Sequence, residues 1–186
     1  MWVIESHAHQ QGAPLLYANG TCDTNLTGMH QRENAAIAKT AIQYLLPSIS
    51  PLRTQPAIDS LIHSGLQHVD WPGRLQVCQH GPHTIWLDGG HNPHAALMLA
   101  HWLSTLQTPV ELIVGMQQRK RFESFLPPLL SYIRQLHVTQ SDHADAIAPQ
   151  QLASTARSFG LTAQTHTSIH HALAGLIDAT EPITAL

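Results

Sequence analysis

The stretch Ile85-Trp86-Leu87-Asp88-Gly89-Gly90-His91-Asn92-Pro93-His94-Ala95-Ala96 concentrates more chemistry than any other part of the chain. An apolar run ends on a carboxylate, and two glycines allow a tight turn. Asn92 and Pro93 then signal a helix start. An Asn side chain accepts from the first free backbone N–H groups, and Pro suits the first helical position because its missing N–H would be unpaired there. In an open parallel sheet, ligands collect where strands end and helices begin. Asp88 is placed either to accept hydroxyl hydrogens from a ribose or to bond its own turn. Turn chemistry accounts for Gly89, Gly90 and Pro93 but not for His91. His91 and His94 have an i, i+3 spacing that a metal could use, with Asp88 the one carboxylate nearby and no fourth ligand adjacent.

These residues need elements to hold them. Residues 15–25 read as a short strand and turn, punctuated by glycines, with Pro14 barring a helix. Ile37, Ala41, Tyr44 and Leu45 form one helical stripe that Pro47 ends. Residues 56–68 predict a second, shorter helix. Asp70-Trp71-Pro72-Gly73-Arg74 is a breaker cluster, and a domain boundary falls there. After it, the rhythm changes. Strands are expected at 75–78, 84–87, 110–114 and 136–139, with a last one opening at 182. Helices are expected at 93–106, 122–134 (kinked or delayed by Pro127-Pro128), 149–159 and 170–177. Strands spaced by helices of this length predict an α/β layer with a parallel sheet.

Three segments, in order along the chain, resemble one known family. Asp88-Gly89-Gly90-His91-Asn92-Pro93-His94-Ala95-Ala96 resembles the DxAHNPxA motif of the folylpolyglutamate and dihydrofolate synthases, within the Mur-type ATP-dependent amide ligases. His30-Gln31-Arg32-Glu33-Asn34-Ala35-Ala36 resembles that family's HQxxNAA, which begins a helix at the end of its central ATPase domain. Trp71-Pro72-Gly73-Arg74-Leu75-Gln76 resembles its WPGRLQ, where the chain enters the C-terminal domain. Gly12-Ala13-Pro14-Leu15 is more loosely similar to a family GAPL segment. The likeness covers most of residues 1–115 and thins beyond Gly115-Met116.

The resemblance implies a Rossmann-like parallel sheet at residues 73–186, the Mur ligase C-terminal domain. Residues 1–72 would be the end of the central ATP-binding domain. It implies a ligase that adds L-glutamate to dihydropteroate or a folate: ATP phosphorylates the carboxylate, and the amine attacks the acyl phosphate. By motif match, Asn34 meets the adenine edge, Arg74 the phosphates, and Asp88 the ribose, all on one nucleotide. His91, the catalytic candidate, lies beside the phosphates or the glutamate. Each type suits its part: an amide offers donor and acceptor, a guanidinium fork fits phosphate, a carboxylate accepts hydroxyls. The plainer alternatives are an Asn34 helix cap and an Arg74 solvated linker charge. Lys120, in Gln117-Gln118-Arg119-Lys120-Arg121, stands where the resembled family often has an acidic–lysine–acidic run; it is a lesser candidate because the acidic neighbours are missing. Phe122, Phe125, Leu126 and Leu129 have the spacing of core rather than of a pterin platform.

The chain holds no GxxxxGK[ST], and neither of its lysines, Lys39 and Lys120, follows a glycine. The resemblance therefore implies the C-terminal piece of a longer ligase, with the magnesium ligands lying outside this sequence and the isolated chain inactive. A non-catalytic remnant or nucleotide-binding module is the alternative, and a His-rich metal binder a further one.

Composition narrows the classes. The 186 residues are 43% apolar, enough for a real core, with nine basic and twelve acidic residues. A charge of −3 is no nucleic-acid footprint. No apolar run approaches the roughly 20 residues needed to span a bilayer. The N-terminus lacks a signal-peptide pattern, and Cys22 and Cys78 cannot build a disulfide framework. A monomer of the reducing cytoplasm, without membrane or nucleic-acid partners, is expected. Charged residues are only 11%, whereas histidine occupies 15 positions. Net charge should therefore move strongly between pH 5 and 7, whether those histidines are neutral polar surface or metal buffers.

Overall fold

The computed structural model describes residues 2–49, 54–178 and 184–185. The chain forms two compact units, Met1–Asp70 and Trp71–Leu186.

The first unit is helical: α1 (Trp2–Gln10), α2 (Met29–Ile49) and α3 (Gln55–Gln67). Residues 15–25, expected to hold a strand, form irregular backbone with no ladder partner among the described residues. Side chains pin this segment instead. Asn25 exchanges bonds with Val69 in both directions, at 3.0 and 3.1 Å, and Thr24 Oγ1 donates to the Leu66 carbonyl. Helix α2 continues to Ile49, past Pro47, which was expected to end it. Gln43 on α2 donates to Asp59 on α3 at 2.8 Å.

The second unit runs β1 (Gln76–His80), β2 (His83–Leu87), α4 (Pro93–Leu103), β3 (Val110–Val114), α5 (Phe122–Phe125), a 3₁₀ helix at Pro127–Tyr132, β4 (Ile133–Thr139), α6 (Pro149–Ser158), β5 (Ala163–His166), α7 (Ile169–Ile177) and β6 (Thr184–Ala185). The sheet order is β1-β2-β6-β3-β4-β5. β2, β6, β3, β4 and β5 are parallel to their neighbours; β1 alone is antiparallel, forming a hairpin with β2. The parallel α/β layer is thus present, with a hairpin added at one edge. Gly81 makes that tight connection with φ 56°.

Two elements differ from expectation for identifiable reasons. The helix expected at 122–134 is one α-turn followed by a 3₁₀ helix, because Pro127 and Pro128 remove two consecutive backbone donors. β5 was not expected at all: Ala163-Gln164-Thr165-His166 has no apolar pattern, and pairing with β4 defines it. Of the closing strand expected from 182, Thr184 and Ala185 pair with β2 and β3, and its other residues lie outside those described.

The core lies in this unit. Leu112 and Val114 of β3 and Leu136 and Val138 of β4 pack with Leu99 and Leu103 of α4, Phe122 and Phe125 of α5, and Leu152 and Ala156 of α6. A parallel strand covered on both faces reads as a nearly unbroken apolar run, as Val110–Val114 does apart from Glu111.

Candidate functional site

Asp88 follows β2 and is half-buried. Its carboxylate is already engaged on both oxygens. Oδ1 accepts from Gly90 N at 2.7 Å, and Oδ2 accepts from Leu75 N at 3.0 Å. Gly89 N donates to the Gly73 carbonyl at 2.9 Å, a second tie between the same two segments. Leu75 has φ 45°, a left-handed conformation rare for a branched, bulky residue. It is also buried, so the bond from its N–H to Asp88 helps fix an unfavourable turn on which a core side chain depends. Asp88 therefore bonds its own turn and clamps the segment that carries Arg74. An ionised carboxylate has about four acceptor positions, so two backbone bonds leave room for hydroxyl donors.

Arg74 is exposed, with its guanidinium 6.0 Å from the centre of the Trp71 ring. His91 is exposed, and its Nδ1 lies 2.8 Å from the Gly89 carbonyl. Carrying the proton on Nδ1 makes that bond and leaves Nε2 as a free acceptor. Asn92 caps α4 as expected, its Oδ1 accepting from Ala95 N at 2.9 Å. Asn34 is the sixth residue of α2 and exposed, so it is no helix cap; its amide lies 3.4 Å from Gln31 Oε1. Asp88, Arg74 and His91 share one compact unit, and Asn34 belongs to the other. No group of three or more His, Cys, Asp or Glu side chains among the described residues is placed to hold a metal ion. The His91–His94 pair thus gains no ligand set.

Beyond the ends of β2, β3 and β4 lies an open cavity of about 310 Å³, lined by His91, Gly115, Met116, Gln117, Arg119, Lys120 and Ser141. This is the strand-end position at which open α/β sheets bind ligands. The loop after β3 is folded back by backbone bonds: Ile147 N to Met116 O at 2.8 Å, and Gln118 N to Asp145 O at 2.7 Å. Gly115 suits this close approach, since a Cβ there would sit 3.1 Å from the Thr139 carbonyl and the backbone would have to give by a few tenths of an ångström. Arg119 Nε donates to Gln117 Oε1 at 2.8 Å and is 4.0 Å from Asp145. Ser141 Oγ is buried and has no hydrogen-bond partner among the described residues. Two cationic side chains, an imidazole acceptor and an unpartnered hydroxyl suit a small anion that also carries an amine.

Residues 73–184 match the Mur ligase, glutamate ligase domain family. The chain belongs to this family. The dihydrofolate synthase/folylpolyglutamate synthase of Bacillus subtilis is 27% identical over 131 residues, covering 69% of this chain and 29% of the relative. The probable bifunctional folylpolyglutamate synthase/dihydropteroate synthase of Haloferax volcanii is 35% identical over 95 residues, covering 50% of this chain and 10% of the relative. The chain thus spans less than a third of the length of these two relatives. Among solved structures, the bifunctional folylpolyglutamate synthase/dihydrofolate synthase of Yersinia pestis with AMPPNP and a Mn ion superposes with a TM-score of 0.76 at 24% identity, covering 99% of this chain and 47% of that one. Mycobacterium tuberculosis folylpolyglutamate synthase with ADP gives 0.73 at 23% identity, covering 89% and 38%. At these identities the superpositions speak to the fold.

Within this Mur ligase domain, Asp88, Arg74 and His91 are legible in the sequence as site candidates, whereas Ser141 and Arg119 are not. Gly115 closing an apolar strand was the available signal for the first loop. Ser141 carries none, because its relevance comes from parallel pairing of β3 with β4, which no local pattern encodes.

Proposed function

We propose that the chain is the C-terminal part of an ATP-dependent ligase that adds L-glutamate to dihydropteroate, a folate, or both, through an acyl phosphate. Residues 73–186 are its glutamate-ligase domain and residues 1–72 the end of its ATP-binding domain. The observation that carries this reading is the cationic strand-end cavity inside the matched glutamate ligase domain, with Lys120, Arg119 and the unpartnered Ser141 hydroxyl around it. A related enzyme has been crystallised with L-glutamate, AMPPNP and Mn.

In this reading Lys120 and Arg119 hold a carboxylate of glutamate, and Ser141 supplies a donor. His91, with Nε2 free as an acceptor, stands where the attacking amine must shed a proton. Asp88 keeps its turn and offers its remaining lone pairs to a ribose, Arg74 reaches phosphate oxygens, and Asn34 meets the adenine edge. ATP, when bound, supplies the activated phosphoryl group. Magnesium belongs with that phosphate chemistry, and the described residues offer no ligand set for it. Without a phosphate-cradling loop the chain alone lacks the largest expected contribution to phosphoryl transfer, so it turns over only when joined to a domain that supplies one. A monomer of the cytoplasm, with small molecules as its ligands, accords with this role.

The test is a chemical-shift titration of the chain with L-glutamate, with glutaramide as the uncharged control. Shifts confined to residues 91, 115–120 and 141, weakened at least about tenfold by Lys120→Gln, are expected for loss of a charged hydrogen bond. Shifts elsewhere, or equal response to glutaramide, refute it. ADP release by the chain alone, surviving repurification, would refute its dependence on a second domain.

A further inference from the structure

A chain of polar side chains links three adjacent parallel strands of the sheet. Arg134 Nε on β4 donates to Glu111 Oε1 on β3 at 2.8 Å. Glu111 Oε2 lies 3.0 Å from His137 Nε2 on β4, and His137 Nδ1 lies 2.9 Å from His166 Nε2 on β5. Glu111 and His137 are both buried. The wiring limits the protons this chain of groups can hold. An ionised carboxylate only accepts, so His137 Nε2 carries a proton toward Glu111. Between His137 Nδ1 and His166 Nε2 there is room for one proton. The contact survives with both rings neutral, or with either ring alone as imidazolium. A second imidazolium places two N–H groups against each other at 2.9 Å.

We propose that the His137–His166 contact is an acid-released latch: uptake of a second proton by this pair detaches β5 and the following helix α7 from the edge of the sheet. Among the described residues β5 is the edge strand and pairs only with β4, α6 packs on β5, and α7 packs on β4 and β5, so the pair sits at the seam. The charged and titratable groups on the packed elements are Glu111 on β3, Arg134 and His137 on β4, Arg157 on α6, and His170 and His171 on α7, with Asp178 just beyond. Glu111 is shared by Arg134 and His137, and among the described residues His166 has no carboxylate partner. Burial first, then the neighbouring His137 and His171, hold the His166 ring below its ordinary value of 6.5. A histidine depressed in the folded state binds protons more readily once released. Stability from it is therefore complete above about pH 6.5 and is lost as pH falls.

Amide hydrogen exchange on the full chain, corrected for intrinsic rates, reads this directly. Between pH 7.5 and 5.5 protection of the β5 amides should fall several-fold and by no more than about tenfold, because the linkage limit is about tenfold per pH unit per proton and only the unit below about pH 6.5 contributes. Protection of Leu112 and Val114 in β3 should stay unchanged. His166→Gln, whose amide can donate to or accept from His137 but does not titrate, should flatten the pH dependence of β5. Wild-type β5 protection that is constant with pH overturns the proposal, as does a His166→Gln chain with the wild-type slope. If that variant does not fold, ring nitrogen shifts of the wild-type histidines decide. Both rings becoming charged while β5 stays protected overturns the latch; charging of the second ring together with β5 opening supports it.

Discussion

The two compact units stabilise themselves in different ways. In Trp71–Leu186 a continuous core joins a parallel sheet to α4, α5 and α6, with Leu126, Leu129, Leu136 and Val138 sealed from solvent. In Met1–Asp70, α1 buries no residue, and only Gln31, Ala35 and Ala36 of α2 and Ile58 of α3 are buried. Large apolar side chains there remain exposed, among them Trp2, Val3, Ile4, Ile37, Tyr44 and Leu45. The first unit relies on polar ties such as Asn25–Val69 and Gln43–Asp59, whose net worth is about 1 kcal/mol each. Helical propensity and a few hydrogen bonds set local structure, whereas stability on a domain scale follows buried apolar area.

Matched substitutions should separate the units most clearly. Leu136→Ala, at a residue with 0% exposure, should destabilise the chain by about 2–5 kcal/mol, through lost transfer energy and a cavity. Leu45→Ala on exposed α2 should stay within about 0.5 kcal/mol. Denaturant midpoints at unchanged slope measure both, and equal losses would erase the contrast. Limited proteolysis makes the same comparison: cleavage between residues 66 and 76 should leave a stable C-terminal piece, and a persistent N-terminal piece would reverse it.

Asp88 tests the second unit at its entry. Asp88→Ala removes one acceptor from two backbone donors, Leu75 N and Gly90 N, and leaves Leu75 at a left-handed φ without its tie. A loss of about 1–3 kcal/mol is expected, the range for hydrogen bonds to a charged group. Asp88→Asn should lose less, because its carbonyl can keep the Gly90 bond. Thermal unfolding measures the pair, and an Ala variant as stable as wild type would show that the clamp does no structural work. In a parent enzyme containing a phosphate-loop domain, ATP affinity of the same variants would show whether a ribose also uses this carboxylate.

Legibility along the sequence follows the same division. Val110–Val114 announced itself because a strand buried on both faces has one apolar signature, and α4 because Asn92-Pro93 is a start signal followed by Ala96, Leu99 and Leu103 on one face. β5 was invisible because its identity is conferred by β4, and the fate of 122–134 was set by two missing N–H donors rather than by its helical stripe. Of the site, the carboxylate and imidazole after β2 could be read locally. The company they keep could not: Ser141 reaches the cavity through parallel pairing, and Asp88 touches Leu75 across thirteen residues.

Helix caps give the smallest and most local comparison, this time inside the second unit. Asn92 starts α4, at the site and against the core, with Oδ1 accepting from Ala95 N at 2.9 Å. Ser168 starts α7, at the sheet edge, with Oγ accepting from His171 N at a longer 3.2 Å. Removing either side-chain acceptor leaves an orphan backbone donor, at a typical cost of about 1 kcal/mol. α4 carries buried Ala96, Leu99, Trp102 and Leu103, so its first turn cannot fray without disturbing the core. α7 buries only Ala172 and can fray locally. Asn92→Ala should therefore lower global stability by about 1 kcal/mol. Ser168→Ala should leave the global midpoint nearly unchanged while raising amide exchange in the first turn of α7. Equal shifts in the global midpoint would mean that α7 folds and unfolds with the core, which would also weaken the case for β5 and α7 opening as a separate latch.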